Sequence, residues 1–509
     1  MGPADVIDAP YRISYQAQQT PAHLALVCAM AGVPWVMRDD LSVADLGCGR
    51  GYVANTLAAA NPGWQVTGID HSPMQIAEAV AMARRAGLSN VAFAEADLGA
   101  FDDDRLCRLP TFDVVMLHGL WTWVSDEVRD GIRRLIRHRL RPGGVVYVGY
   151  NAMPAAGADA ALQRLLLHAA GPRHAGLGSV VAAERAIAQL RTLAAHLPLP
   201  STPMLKRLLH DPPLLEPAFV AHEFLTEHWR PVFHDALCAS FADCKLDFVG
   251  SCNLFENLPG LLADPAQDRL LRSAPSPAAR ELLKDLCLPR SFRADVFVRG
   301  ARRGDAVRAL DAMVVAAVAA LPEQSPVLDT GVSRAALPQA VWETLRSRLA
   351  GGAWTVADLR AVNGAAALDP AELLAILVGA GLVQPVWHSF EAAPLPSAAR
   401  FNRVAAELLS DGGEAGGHFA LASHVAAGGV PADALDLALV AALSGSTDAG
   451  DPATLAGRLQ PAATPERRKE LAKRVAARLA DHLPVWRLWG LAQCTELKRP
   501  DGRIQTVSC

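Results

Sequence analysis

The sequence has no long apolar run, no marked excess of either charge and no paired cysteines, and each absence removes a class of protein. The longest apolar stretch, Ala312 to Pro322, is about half of the ~20 residues that a membrane-spanning helix requires. Lys and Arg number 48 against 52 Asp and Glu, a net charge of −4, so the balance gives no reason to expect a nucleic-acid backbone or an anionic membrane as partner. The first twelve residues carry two acids and no apolar core of a secretory leader. Val6 stands where a myristoylation motif needs Ser or Thr. A cytoplasmic protein without stable membrane insertion is therefore expected. The nine cysteines, at 28, 48, 107, 238, 244, 252, 287, 494 and 509, include no Cys-x-x-Cys pair. Free thiols are expected, and a reducing compartment disfavours a Cys252–Cys287 bridge. No His, Cys and carboxylate cluster has zinc spacing, so no metal site is expected.

What is present is apolar residue in quantity, 51% of 509 positions, enough for two or three cores. From Ser42 to Tyr150 short β-branched runs alternate with helical stretches. The runs are Ser42–Leu46, Gln65–Ile69, Val91–Ala94, Phe112–Leu117 and Val145–Gly149. Each is apolar throughout, as strands covered on both faces must be. Helices are predicted at Tyr52–Ala60 and Pro73–Ala86, the second with Ser72 as N-cap and Pro73 at N1. Leu246–Ser251 and Ala294–Arg299 read as two more strands of the same sheet. The expected fold is α/β: a doubly wound, mostly parallel, seven-stranded Rossmann-like sheet. Residues 1–300 are assigned to this domain, with 152–230 as a helical insertion covering the substrate side. Residues 301–509 are assigned to a mainly helical C-terminal domain. Within it, helices near Leu337–Leu349, Val356–Ala361 and Asp369–Gly379, followed by a strand to Val386, suggest a winged-helix-like module. Between 311 and 400 there are 5 basic and 8 acidic residues, so the basic footprint of a nucleic-acid binder is missing and an interaction or structural role is expected.

The strongest motif is Val43-Ala44-Asp45-Leu46-Gly47-Cys48-Gly49-Arg50-Gly51. A strand enters a turn with glycine at every second position and a helix follows. Such glycines allow the tight turn and let a ligand approach the backbone. The spacing is neither that of a dinucleotide fold nor that of the Lys-containing phosphate loop. Asp70 closes the second strand, where an acid accepts hydrogen bonds from ribose hydroxyls. Asp97 follows the third, placed for an adenine amino group, with Leu98 beside the ring. Singly, Asp70 reads equally as a helix cap and Asp97 as a loop acid.

This set is similar to the class I S-adenosylmethionine-dependent methyltransferases. The resemblance implies S-adenosylmethionine as cofactor, held by Tyr15, Asp45, Gly47, Gly49, Gly51, Asp70, His71, Asp97, Leu98 and His118. Arg141-Pro142-Gly143-Gly144 matches that family's turn before the fifth strand. A narrower resemblance, over about residues 10–300, is to methyltransferases that carry a methyltransferase regulatory domain. It rests on His118-Gly119-Leu120-Trp121-Thr122-Trp123-Val124, on Tyr147 to Pro154, on His222-Glu223-Phe224-Leu225 with Trp229-Arg230-Pro231-Val232, and on Phe292 to Gly300. Ser14-Tyr15 and Thr20-Pro21 match the family's N-terminal segment. Thr122 replaces the family's serine, and Pro154-Ala155-Ala156 departs from its Pro-Gly-Trp. Characterised members include bacterial protein-lysine methyltransferases acting on outer-membrane proteins, which implies a lysine ε-amine acceptor on a protein or peptide. A small-molecule or ribosomal-peptide natural product is the alternative.

On the acceptor side the candidates are His118, Trp121, Trp123, Tyr150 and Asn151. A lysine must lose its proton before it attacks, and an apolar pocket lowers its pKa. Trp121 and Trp123 are candidates to line that pocket, though core packing serves them as well. His118 reads as a donor-site contact, a base or a structural histidine. Tyr150 and Asn151 are expected to face the same mouth. The Asn/Asp-Pro-Pro-Tyr motif of amide and nucleobase methylation is absent.

Overall fold

The computed structural model describes residues 13–493 except 172–177, 200, 212–213, 227, 263, 289, 330–333, 363, 366–367, 391–393, 413–417 and 445–450, and also 496–498 and 504–506. The N-terminal twelve residues, Cys494 and Cys509 lie outside it. The seven described cysteines are all free. Among the described residues no helix is long and apolar enough to cross a membrane.

After helix α1 (Pro21–Met30), the chain alternates β1 (Ser42–Leu46), α2 (Tyr52–Ala60), β2 (Gln65–Asp70), α3 (Pro73–Ala86), β3 (Val91–Glu95), α4 (Asp103–Arg108), β4 (Phe112–His118), α5 (Asp126–Arg139) and β5 (Leu140–Asn151). The insertion supplies α6 (Ala160–Ala170), α7 (Ser179–Ala194), α8 (Pro203–Leu209) and α9 (Pro217–Phe224), which pack around a cluster of their own containing Leu166, Ala182, Leu190 and Val220. Then come α10 (His234–Ala242), β6 (Leu246–Ser251), α11 (Pro259–Leu262), α12 (Pro265–Arg272), α13 (Pro277–Cys287) and β7 (Phe292–Arg299).

The sheet order is β3-β2-β1-β4-β5-β7-β6. β1 pairs in parallel with β2 and β4, and β7 runs antiparallel between β5 and β6. The strand order reverses between β1 and β4, which opens a crevice at their carboxyl ends. The predicted strands are all present, β5 longer than expected. Arg141-Pro142-Gly143-Gly144 is not a turn ahead of that strand but an irregular start within it. Leu140 pairs with Phe112 and the ladder resumes at Val145, with Gly143 at φ +75° absorbing the extra residues.

Period-two alternation sends Val43, Val114, Val145 and Tyr147 to one face and Ala44, Val115, Val146, Val148 and Tyr150 to the other. The second face is covered by α5 and α10. The first is covered by α1, α2 and the C-terminal third, in one hydrophobic cluster that extends from Ile13 to Ala492. A hairpin of Phe419–Ser423 and Gly428–Ala432 lies on α2, where the Tyr52 hydroxyl donates to the Ala420 carbonyl at 2.8 Å. Val314–Ala317, Trp354–Thr355 and Val383–Val386 form a small antiparallel sheet with helices Gln339–Ala350, Val356–Arg360 and Pro370–Gly379, three strands where the sequence indicated one.

Candidate functional site at the carboxyl edge of the sheet

The turn after β1 takes a conformation that only glycine adopts easily. Gly47, Gly49 and Gly51 sit at φ +72°, +53° and +69°, where a Cβ strains the backbone. A Cβ on Gly51 would lie 2.5 Å from Ala79 Cβ and 2.8 Å from the Phe93 ring. Gly51 is thus required by packing of the turn against α3 and β3. A Cβ on Gly49 meets only the Gln75 amide, at 2.9 Å, so that glycine leaves its other side open to a ligand.

Asp70 has both roles that its position allows. One carboxylate oxygen accepts the Gly49 amide at 2.9 Å and the other the Ser72 amide at 2.9 Å. It therefore holds the glycine turn to the start of α3, and each oxygen retains a lone pair for a further donor. His71 stands beside it, half exposed, with Nδ1 3.5 Å from the carboxylate. Asp97 is exposed and accepts the Gly99 amide at 2.8 Å, while Leu98 is buried in the core behind it.

Asp45 differs from its neighbours. The residue is 5% exposed, and no hydrogen bond to its carboxylate is found among the described residues. Burial, with the Asp70 carboxylate nearby, pushes it up to about 7. A buried acid without a partner at the mouth of the glycine turn is matched by a cationic ligand.

His118 ends β4. Its Nδ1 lies 2.7 Å from the Tyr147 hydroxyl, and its ring stacks on Tyr147 and tilts against Phe292. The Tyr147 side chain is fully buried, and His118 is the hydrogen-bond partner of its hydroxyl among the described residues, so it donates to Nδ1 and leaves the proton of the neutral ring on Nε2. Burial lowers His118 to about 4, so the ring is neutral across the physiological range.

The two tryptophans separate. Trp121 is 3% exposed and packs edge-on against Phe241 under the Arg129 guanidinium; it belongs to the core, not to a pocket. Trp123 is half-buried and stacks on Trp229, with ring centroids 5.9 Å apart, and Phe224 tilts against Trp229. The segment bearing Trp229 is fastened over the β4 end. The Arg230 amide donates to the Thr122 carbonyl at 2.8 Å, and its guanidinium grips Asp126 at 3.0 and 3.1 Å. Thr122 keeps the hydroxyl of the serine it replaces, donating it to Asn151 Oδ1 at 3.0 Å. Asn151, the last residue of β5, is thereby tied to the segment after β4.

Two candidates lie elsewhere. The Tyr15 hydroxyl accepts the Gly429 amide at 2.6 Å and is fully buried. Its polar atom is committed to the C-terminal hairpin rather than to a cofactor. The Tyr150 hydroxyl points to the other face of the sheet and donates to Asp295 at 2.7 Å. Alternation along β5 puts Tyr147, not Tyr150, beside His118. Asp295 belongs to a buried charge network in which Arg293 pairs with Asp295, Asp285 and Glu281 at 2.8–3.0 Å. The His234 Nδ1–H also donates to Asp295, at 2.9 Å. Trp229 and Tyr147 were missed as site residues: Trp229 sits 106 positions after Trp123 in the numbering, and only the fold brings them together.

Comparison with known proteins agrees with this fold. Residues 43–144 match the model of a methyltransferase domain, and 216–299 match that of a predicted methyltransferase regulatory domain. An uncharacterized Synechocystis protein, sll1526, is 29% identical over 300 residues, 58% of this chain, and the chain spans only 58% of that relative's length. The trans-aconitate 2-methyltransferase of Streptomyces avermitilis is 33% identical over 100 residues, 19% of this chain and 35% of that one. The structure of PKMT2 from Rickettsia typhi in complex with AdoHcy superposes with a TM-score of 0.67 at 16% identity, covering 95% of this chain and 99% of that one. The residues fit S-adenosylmethionine: the glycine turn is open at Gly49, Asp70 has capacity for ribose hydroxyls, and the unpartnered Asp45 suits a cation. The matched regulatory segment is no appendage, since it contains Trp229, α10 and the last two strands of the sheet. The chain has the class I S-adenosylmethionine-dependent methyltransferase fold, with a methyltransferase domain joined to a predicted methyltransferase regulatory domain.

Proposed function

We propose that this protein is an S-adenosylmethionine-dependent methyltransferase whose acceptor is a lysine ε-amine of a protein. The observation that carries the acceptor is the Trp123–Trp229 stack, fastened by Arg230 over the ends of β4 and β5. When bound, S-adenosylmethionine supplies a methyl group on an electrophilic sulfonium. The turn Gly47–Gly51, Asp45 and Asp70 would hold it, and the chain's remaining task is to align a nucleophile and free it of its proton. An aromatic wall accommodates the lysine stem and attracts the ammonium. By excluding water it also lowers the lysine pKa towards neutrality. His118, fixed by Tyr147 and neutral, adds no competing positive charge to the mouth. The family resemblance to protein-lysine methyltransferases supports the same reading, and the site is assigned on the geometry of these residues.

The test is incubation of a bacterial lysate with the full chain and methyl-labelled cofactor. Label on protein, stable to acid and mild base and recovered as methyl-lysine, is the expected result. Label in the small-molecule fraction would transfer the activity to the alternative acceptor class. Label on protein that mild base removes would indicate a methyl ester. Either result overturns the lysine assignment.

A further inference from the structure

A cavity of about 170 Å³, lined by none of Gly47–Gly51, Asp70 and His118, lies where three parts of the chain meet. The segment from Tyr15 to His23 forms one wall, the residues after β6 around Cys252 and Phe255 a second, and Val378, Gln384 and Pro431 of the C-terminal third the last. No Asp, Glu, Lys or Arg lines it, so it offers no counter-charge to an ion.

Two acceptors in its wall are unmet. Gln384 Oε1 is buried with no hydrogen-bond partner among the described residues. The His23 Nε2–H donates to the Cys252 carbonyl at 2.8 Å. Burial lowers His23 to about 4, so the ring is neutral and Nδ1 keeps an unprotonated lone pair that no described donor reaches. One N–H of the Gln18 amide donates to Asn253 at 2.6 Å, and the Thr20 hydroxyl donates to the Ala17 carbonyl at 2.8 Å. The cavity therefore presents two acceptors that no donor of the wall meets, Gln384 Oε1 and His23 Nδ1. A buried acceptor left unmade is costly, and the mostly apolar remainder of the wall favours a ring or short chain. An apolar cavity of about 150 Å³ holds benzene, which sets the scale.

We propose that this cavity is a binding site for a compact, neutral, largely apolar molecule that carries a hydrogen-bond donor, of the size and polarity of indole or phenol. The donor meets Gln384, and the ring ties the N-terminal segment to the C-terminal third. The site adjoins the hairpin that clamps Tyr15, through Gly429, and Tyr52, through Ala420. It requires neither the cofactor nor an acceptor, so its failure and that of methyl transfer are separate results.

The experiment titrates indole, phenol and benzene into the full-length, cofactor-free protein, followed by calorimetry and by thermal denaturation. Expected is saturable one-to-one binding of indole and phenol with a rise in melting temperature. Gln384→Leu, which keeps the volume and removes the acceptor, should weaken indole about tenfold and leave benzene unchanged, as one neutral hydrogen bond predicts. Val378→Phe, which fills the cavity, should abolish binding of all three. The proposal is overturned if none of the three probes saturates. It is equally overturned if indole binds wild type and Gln384→Leu with the same affinity. Should Val378→Phe fail to fold, the contrast between indole and benzene in Gln384→Leu decides.

Discussion

Asp45 should make cofactor affinity depend on pH through neutrality, and its removal should trade binding for stability. The carboxyl is largely buried, which pushes it up to about 7 from an ordinary 3.8. A cationic ligand prefers the ionised form, and the protonated form is incompetent for that interaction. At pH 6, one unit below, about one molecule in eleven has Asp45 ionised, so apparent affinity should be about tenfold weaker than at pH 8.5. Stability of the free protein runs the other way. A raised carboxyl pKa means that the folded state binds the proton more tightly than the unfolded state does. Its stabilising contribution is therefore complete below about 3.8 and is lost as pH rises towards 7. The difference of about 3 units corresponds to about 4 kcal/mol across that window. Asp45→Asn cannot ionise. It should melt at a higher temperature than wild type at pH 8 without cofactor, bind S-adenosylmethionine more weakly at pH 8, and show little change in affinity between pH 6 and 8.5. Calorimetric titrations at three pH values, with apo melting curves beside them, measure both halves. A wild-type affinity that is flat from pH 6 to 8.5 would refute the assignment of Asp45 as the group that meets the cation.

Gly51→Ala should lower stability by about 2–4 kcal/mol, summing left-handed backbone strain and overpacking against Ala79 and Phe93; urea unfolding measures it, and a neutral effect would contradict the turn geometry. Gly49→Ala meets only a flexible amide, so it should retain more of the fold's stability than Gly51→Ala while losing cofactor affinity in calorimetry. Trp229→Ala should slow methyl transfer to protein by about tenfold or more while sparing cofactor affinity, because its contacts are Trp123 and Phe224; equal loss of cofactor binding would place it elsewhere. Arg293→Met leaves Asp295, Asp285 and Glu281 buried together and should cost about 3–5 kcal/mol in denaturant unfolding.

The positions of the first five strands, the glycine turn and the acids at or near the ends of β1, β2 and β3 were legible because each is a local event. A strand buried on both faces must be apolar along its length, and a left-handed turn must use glycine. Both constraints act within a few residues and leave their mark in the string. The cap on α3 at Ser72 was readable for the same reason. Side-chain alternation was harder. Tyr147 and Tyr150 are three apart on β5 and so lie on opposite faces, and only the placement of β4 and α10 shows which face holds the site and which the Asp295 network. The tryptophan pair was beyond local reading altogether, since Trp123 and Trp229 meet through an insertion that leaves β5 and returns across its end. Tyr15 shows the same limit, its hydroxyl being claimed by Gly429 from the C-terminal hairpin. The sequence by itself determined which backbone conformations were allowed and which residues had to be buried. Tertiary structure alone decided which distant side chains share a wall, because contacts between remote segments depend on the packing of whole elements and leave no periodic trace along the chain.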